Sequence, residues 1–368
     1  MSKTLNNFLL LIEEKSCPLN FELNFGHEKF SPFEAKTLSA ALASGKCTRG
    51  LKIVLSQCSL TVQSIESLNE GIANANCPED LHVYLPQSSN LDVGLALTNM
   101  LMSGRCVKGL KLYLWDHEMG EEGAQIFSDA LISGKCPADL LINLSGGYKN
   151  LLYDEGAFAL AAALTSGRCP KGLQLIMASN TIMEKGAQAL ADALASGNCP
   201  EGLEIGLNEN FIGSTGIMAF ASALASGKCP KGLKLDLSAN EIDDDGIEAL
   251  ATSLATGNCP QDLWIDLESN RFKKRGLEAL IKALECGKCA QGLKININSI
   301  TNNNLSNTIE MLLRKNEIKH SALACITFQQ GLSQENSGLR VFPHDLASSI
   351  YQYLPPTALN EGEEKNYL

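Results

Sequence analysis

Ten cysteines stand at positions 17, 47, 77, 106, 136, 169, 199, 229, 259 and 289, separated by 30, 30, 29, 30, 33, 30, 30, 30 and 30 residues. A chain with that rhythm escapes the two or three ordinary domains that 368 residues would otherwise suggest. Fixed periods of about 20 to 50 residues signal a solenoid, in which each unit buries its apolar face only against its neighbours.

Aligned on the cysteine, the unit reads C-P-x-G-L-x-L-x-L-x-x-N-x-I, followed by G-x-x-A-L-A-x-A-L-A-S-G. Leu233, Leu235 and Leu237 alternate with polar residues, the period of a short strand with one buried face, and the pattern recurs at 203–207, 263–267 and 293–297. Three residues after the last strand leucine stand Asn180, Asn210, Asn240 and Asn270, where the chain must turn away from the sheet. A buried amide at that turn is expected to bond to backbone groups of the neighbouring units. From Gly246 to Leu254 the apolar residues fall three and four apart, as on one face of a helix. Gly precedes the cysteine by two positions in eight of the ten units, suiting the left-handed residue that ends a helix, and Pro follows it in seven. The cysteine therefore falls between helix end and strand start, and is expected to be a reduced, buried residue of the repeat core.

Rival readings of the cysteines are weaker. Neighbouring thiols on adjacent coils would lie within disulfide reach, but an unbroken row in a reducing compartment argues against bridges. Cys286 and Cys289 have C-x-x-C spacing, yet Cys286 merely replaces the Ser of the helix-end phrase, and no second pair completes a metal set. Neither metal nor cofactor is expected.

The asparagine position holds Ser88, His117, Gly147 and Ile300 in units three, four, five and ten, so a good hydrogen-bond ladder is expected only from about 180 to 270. Unit five carries three extra residues between Gly147 and Gly156, a bulge on one edge.

These residues resemble the ribonuclease-inhibitor-like class of leucine-rich repeat, whose L-x-x-L-x-L-x-x-[NC]-x-L pattern is seen at Leu233 to Ile242. The resemblance implies an α/β fold: a leucine-rich repeat solenoid, a right-handed β-α superhelix shaped as a horseshoe, with a parallel sheet on the concave side, helices outside and helical caps. The phrase A-L-A-S-G-[KNR]-C-P is also similar to leucine-rich repeat effectors that intracellular bacterial pathogens inject into host cells. The end, TALNEGEEKNYL, is similar to Glu-containing signals of type IV secretion. The expected division is an N-terminal capping helix over 1–16, ten repeats over 17–316, a C-terminal helical cap over 317–354 and a disordered acidic tail over 355–368. Phe342 to Leu346, with Ile350 and Leu354, resembles the opening of an F-box, against the plainer reading of a capping helix.

Asp and Glu number 41 against 30 Lys and Arg, a net charge of -11, and this field repels phosphate backbones and anionic lipid. Nucleic acid and membrane are therefore not expected as partners. The start, MSKTLNNFLLLIEEKSC, has an apolar block only from Phe8 to Ile12 and reads as a helix rather than a signal peptide. The five histidines form no ligand spacing, and no nucleophile elbow, Walker loop or zinc-protease motif is present.

What remains is an interaction surface. Positions five, seven and nine after each cysteine point out of the concave sheet. They hold His82 and Tyr84 in unit three, Lys111, Tyr113 and Trp115 in unit four, Asp236 in unit eight, and Trp264, Asp266 and Glu268 in unit nine. Exposed aromatic residues are enriched at binding hot spots, so these are the candidate protein-binding residues. The expected function is that of a non-enzymatic, monomeric scaffold which binds a host protein after delivery from the bacterial cytoplasm into host cytosol. An adaptor for ubiquitin transfer and a GTPase-activating protein are the alternatives.

Overall fold

The computed structural model describes residues 1–86, 91–114, 120–146, 151–297 and 303–332. Ser88, Trp115, His117, Gly147, Ile300, part of the extra segment of unit five and the F-box-like residues lie outside them. Ten three-residue strands run in chain order: β1 Glu22–Asn24, β2 Lys52–Val54, β3 His82–Tyr84, β4 Lys111–Tyr113, β5 Leu141–Asn143, β6 Gln174–Ile176, β7 Glu204–Gly206, β8 Lys234–Asp236, β9 Trp264–Asp266 and β10 Lys294–Asn296. They form one open parallel sheet in which each strand pairs with the next. The helices are α1 Lys3–Glu13, α2 Pro32–Ala43, α3 Val62–Ile72, α4 Leu91–Met102, α5 Gly120–Ile132, α6 Tyr153–Thr165, α7 Glu184–Ala195, α8 Gly213–Ala225, α9 Asp244–Leu254, α10 Lys274–Glu285 and α11 Asn303–Leu332. We number the coils one to ten from the ten cysteines of the row.

Register follows from the period. Lys234, Leu235 and Asp236 pair with Trp264, Ile265 and Asp266, so identical positions of successive coils stack. In coil eight Leu233, Leu235, Leu237, Ile242, Ile247, Leu250 and Leu254 are wholly buried between sheet and helix, and coils six and seven repeat the arrangement at Leu173 to Leu194 and Leu203 to Leu224. The core is thus a continuous column of Leu, Ile, Val, Met and Phe, with Ala35, Ala124, Ala157 and Ala187 at the place of Ile247.

The expected asparagine ladder runs through coils six to nine. The Oδ1 of Asn210 accepts from Asn180 N and Ile182 N of the preceding coil at 3.0 and 2.9 Å, while its Nδ2 donates to Met177 O and Leu207 O, both at 3.0 Å. Asn270 repeats this toward Asn240 and Ile242 at 2.9 and 3.0 Å. Asn180, Asn210 and Asn240 are buried, so the amide satisfies turn groups that water cannot reach. In coil two, Cys58 substitutes with a single bond from its Sγ to Gly26 O at 3.5 Å.

The cysteine row departs from the expected buried core. Cys77, Cys259 and Cys289 are buried, but Cys17, Cys47, Cys106, Cys136, Cys169, Cys199 and Cys229 are only partly so. Their thiols act on the helix end: Cys229 Sγ donates to Ala223 O, six residues earlier, at 3.3 Å, and the same bond recurs at Cys47, Cys106, Cys136, Cys169 and Cys199. Ser226 Oγ donates to that carbonyl at 2.6 Å and accepts from Lys228 N at 3.2 Å, while Gly227 takes φ 73°. The phrase A-S-G-x-C is therefore one device for closing a helix whose last carbonyls have no intrahelical partner.

Burial pushes the thiols of Cys47, Cys106, Cys136, Cys169, Cys199, Cys229 and Cys289 up to about 12. Because the thiolate is the reactive form, alkylation of the native protein at pH 8 should modify exposed Cys286 well before these thiols. Peptide mass spectrometry against time checks this, and a row that reacts as fast as Cys286 would show that the capping bonds do not hold.

Both ends of the column are covered. Leu5, Phe8 and Ile12 of α1 are buried on coil one, with the Phe8 ring 5.9 Å from that of Phe21. Helix α11, the helix of coil ten, packs beside α10 and buries Ile309 and Leu312, and Asn316 Nδ2 donates to Ala290 O at 3.0 Å. It runs unbroken through residues 316 and 317, where the repeats were expected to give way to a separate cap.

Candidate protein-binding face

The open face of the sheet carries the first and third residue of each strand, because the middle residue turns inward to the core. On β3 and β4 this brings His82, Tyr84, Lys111 and Tyr113 together. Tyr84 and Tyr113 are register partners, and their rings lie 4.1 Å apart and within 3° of parallel. His82 joins them as a third ring, 5.8 Å from Tyr113, with its Nδ1 3.2 Å from the Tyr113 hydroxyl. Lys52 and Lys111 flank His82 on the neighbouring strands. Burial, then Lys111 and Lys52, lower the His82 pKa to about 4, so the imidazole is neutral at pH 7 and the lysines carry the charge of this patch. Burial first, and then Tyr84, raise the Tyr113 phenol above its ordinary range, so it stays protonated.

The remaining candidates form a second patch. Asp236 and Asp266 are neighbours across β8 and β9, and Trp264 is set between Lys234 and Lys294. Burial raises the Asp236 pKa, the nearby Asp266 and Glu204 raise it further, and hydrogen bonds from Ser238 oppose the rise. Asp266 accepts from Asn296 Nδ2 at 2.7 Å and from Glu268 N at 2.9 Å. Lys234 is engaged by Glu204 at 3.1 Å, which leaves the carboxylates to set the sign of this patch. A groove beside Trp264 is lined by Glu204, Lys234, Lys294 and Glu317.

Between the patches lies a neutral stretch: Leu141 and Asn143 are buried within coil five, Gln174 and Ile176 follow, and then comes Gly206. A Cβ at Gly206 would meet the Ile176 side chain at 3.1 Å, so the surface is notched there. Four strand spacings of about 4.8 Å separate Tyr113 from Asp236, roughly 19 Å. The structure thus divides the candidate residues into a cationic aromatic patch and an acidic one. Sequence reasoning missed Lys52 and the part of His82 in the ring stack. The signal for Lys52 was the same register position one coil earlier.

A family model described as "Leucine Rich repeat" matches residues 233–251, the strand, asparagine turn and first helical turns of coil eight. The other nine coils repeat that element order, strand then helix, in one parallel sheet. The fold is a leucine-rich repeat solenoid. No curated protein is significantly similar in sequence. Among solved structures, one titled "Leiomodin-1 Actin-Binding Site 2 (ABS2)" is similar over 43% of this chain and 88% of its own, at 17% identity and a TM-score of 0.36. A likeness of that strength carries no partner across. Leucine-rich repeat solenoids bind proteins on extended sheet faces, which is where the two patches lie. Among the described residues no group of three or more His, Cys, Asp or Glu is placed to hold a metal ion, and no helix is long and apolar enough to cross a membrane.

Proposed function

We propose that the protein is a non-enzymatic scaffold that binds a protein partner through the open, concave face of its repeats. The observation that carries this reading is the stack of His82, Tyr84 and Tyr113: three rings assembled on the face that has no core to fill. Stacked rings lose little side-chain freedom on binding, and flanking lysines supply polar contacts at the rim. The acidic patch at Asp236, Asp266 and Glu268 favours a basic region of the same partner and acts mainly on association rate. Delivery from a bacterium to a host cytosol, with a host protein as partner, rests on the repeat phrase and the acidic end of the chain.

The test is a capture from host-cell lysate in which wild type is compared with Tyr113→Ala and Asp266→Lys. A partner of this face should lose more than about 1 kcal/mol of affinity with Tyr113→Ala at unchanged thermal midpoint. With Asp266→Lys its association rate should fall and lose part of its salt dependence. A partner bound equally by all three proteins would place the site elsewhere.

A further inference from the structure

Three consecutive coils expose a large apolar side chain on the edge where strand turns into helix: Tyr153 at 44%, Met183 at 44% and Phe211 at 52%. They are neighbours in space. Tyr153 N donates to Asn180 O at 3.1 Å, Asp154 Oδ1 accepts from Met183 N at 2.8 Å, and Phe211 N donates to Ile182 O at 2.9 Å. Tyr153 is the unusual member. Its φ is +51°, in the left-handed region that a bulky residue rarely occupies, and the equivalent places in coils four and seven are glycines, Gly120 at +53° and Gly213 at +60°. Gly213 makes the same bond as Tyr153, from its N–H to Asn240 O at 3.0 Å, and a Cβ there would meet nothing within 4 Å. The fold therefore asks only for a residue that tolerates this backbone, and glycine serves better. A tyrosine kept there, with its ring in solvent, is strain retained without a packing reason.

The rim of this patch is acidic. Glu155, Glu184 and Glu209 are exposed and Asp154 is half-buried, while Lys185 is the one cation among the described residues beside them. Successive coils are about 4.8 Å apart, close to the roughly 5.4 Å per turn of an α-helix. A helix lying along the edge can set one apolar residue per turn against Tyr153, Met183 and Phe211 while presenting Lys or Arg to the carboxylates. We propose that this edge is a second protein-binding surface, separate from the concave face, whose occupant is a basic amphipathic helix of a partner protein.

The experiment uses the full chain and a fluorescent 14-residue helical peptide with Leu at one position per turn and Lys and Ala elsewhere. Fluorescence anisotropy should show the peptide binding at least about tenfold more tightly than one of the same composition with its Leu residues dispersed around the helix. Tyr153→Gly and Phe211→Ser should each weaken binding about fivefold or more, and Tyr113→Ala should leave it unchanged. The thermal midpoint of Tyr153→Gly should equal or exceed that of wild type, because the backbone strain is relieved. Equal binding of the two peptides, or full affinity of Tyr153→Gly, would overturn the proposal. So would a clear fall in that variant's midpoint, which would make Tyr153 a structural residue. Light scattering that shows a dimer lost in Phe211→Ser would assign the edge to a second copy of the chain instead, and would equally overturn it.

Discussion

Asn240→Ala should destabilise the protein by about 2 to 3 kcal/mol, measured by urea unfolding. The side chain is wholly buried and bonds in three directions: Oδ1 accepts from Ile212 N at 3.3 Å, and Nδ2 donates to Leu207 O at 2.8 Å and Ser238 O at 2.9 Å. The two carbonyls keep other donors, Asn210 Nδ2 and Glu209 N. The Ile212 amide does not, and an orphaned buried N–H carries the full desolvation penalty. Cys58→Ala, at the same position of coil two, removes only the weak bond to Gly26 O and should cost about 1 kcal/mol or less. Equal losses at the two sites would show that the amide ladder is not what holds coils six to nine in register.

Gly71→Ala should be at least as damaging, about 2 to 4 kcal/mol, for a different reason. A Cβ at Gly71 would stand 2.5 Å from Ser39 O and 2.6 Å from Ser39 Cα. Both are main-chain atoms of α2, so no rotamer change relieves the overlap and α3 must move away. Gly213→Ala is the matched comparison: its φ of +60° strains any side chain, but the space is open, so about 1 kcal/mol is expected. If the two alanine variants unfold at the same urea concentration, the close approach of α2 and α3 is not required by the fold.

The architecture was readable because the strand and helix requirements recur at about every 30 residues. Leu233, Leu235 and Leu237 announce a strand, Asn240 a turn to be satisfied, and Gly246 to Leu254 a helix; agreement among them at one period left little freedom. The period placed Cys229 between helix and strand but could not orient it. Half-buried against the column, its thiol turns back to Ala223 O, beside the left-handed Gly227 that ends the helix. Gly71 gave no signal either, since its meaning lies in the distance to Ser39 in another coil. The open face was legible as a register of positions, so Tyr84 beside Tyr113 followed from counting. That His82 completes the stack, and that Asp236 and Asp266 stand apart behind a neutral stretch, depends on ring orientation and sheet spacing, which alternation alone does not carry. The edge at Tyr153 escaped notice because a positive φ at a non-glycine residue leaves no mark in sequence.

The ladder bonds between coils join residues 28 to 36 apart and the strands pair at offsets of 29 to 33, so among the described residues these bonds tie each coil to the two beside it. Losing or duplicating coil six or coil seven would regenerate the strand pairing and keep an asparagine on each turn of the ladder, whereas losing two residues would break the register. Distance along this molecule is therefore quantised. The gap between its cationic and acidic patches can lengthen or shorten in steps of about 4.8 Å while neither patch is rebuilt, so a lineage of such chains can fit partners of different span by counting coils.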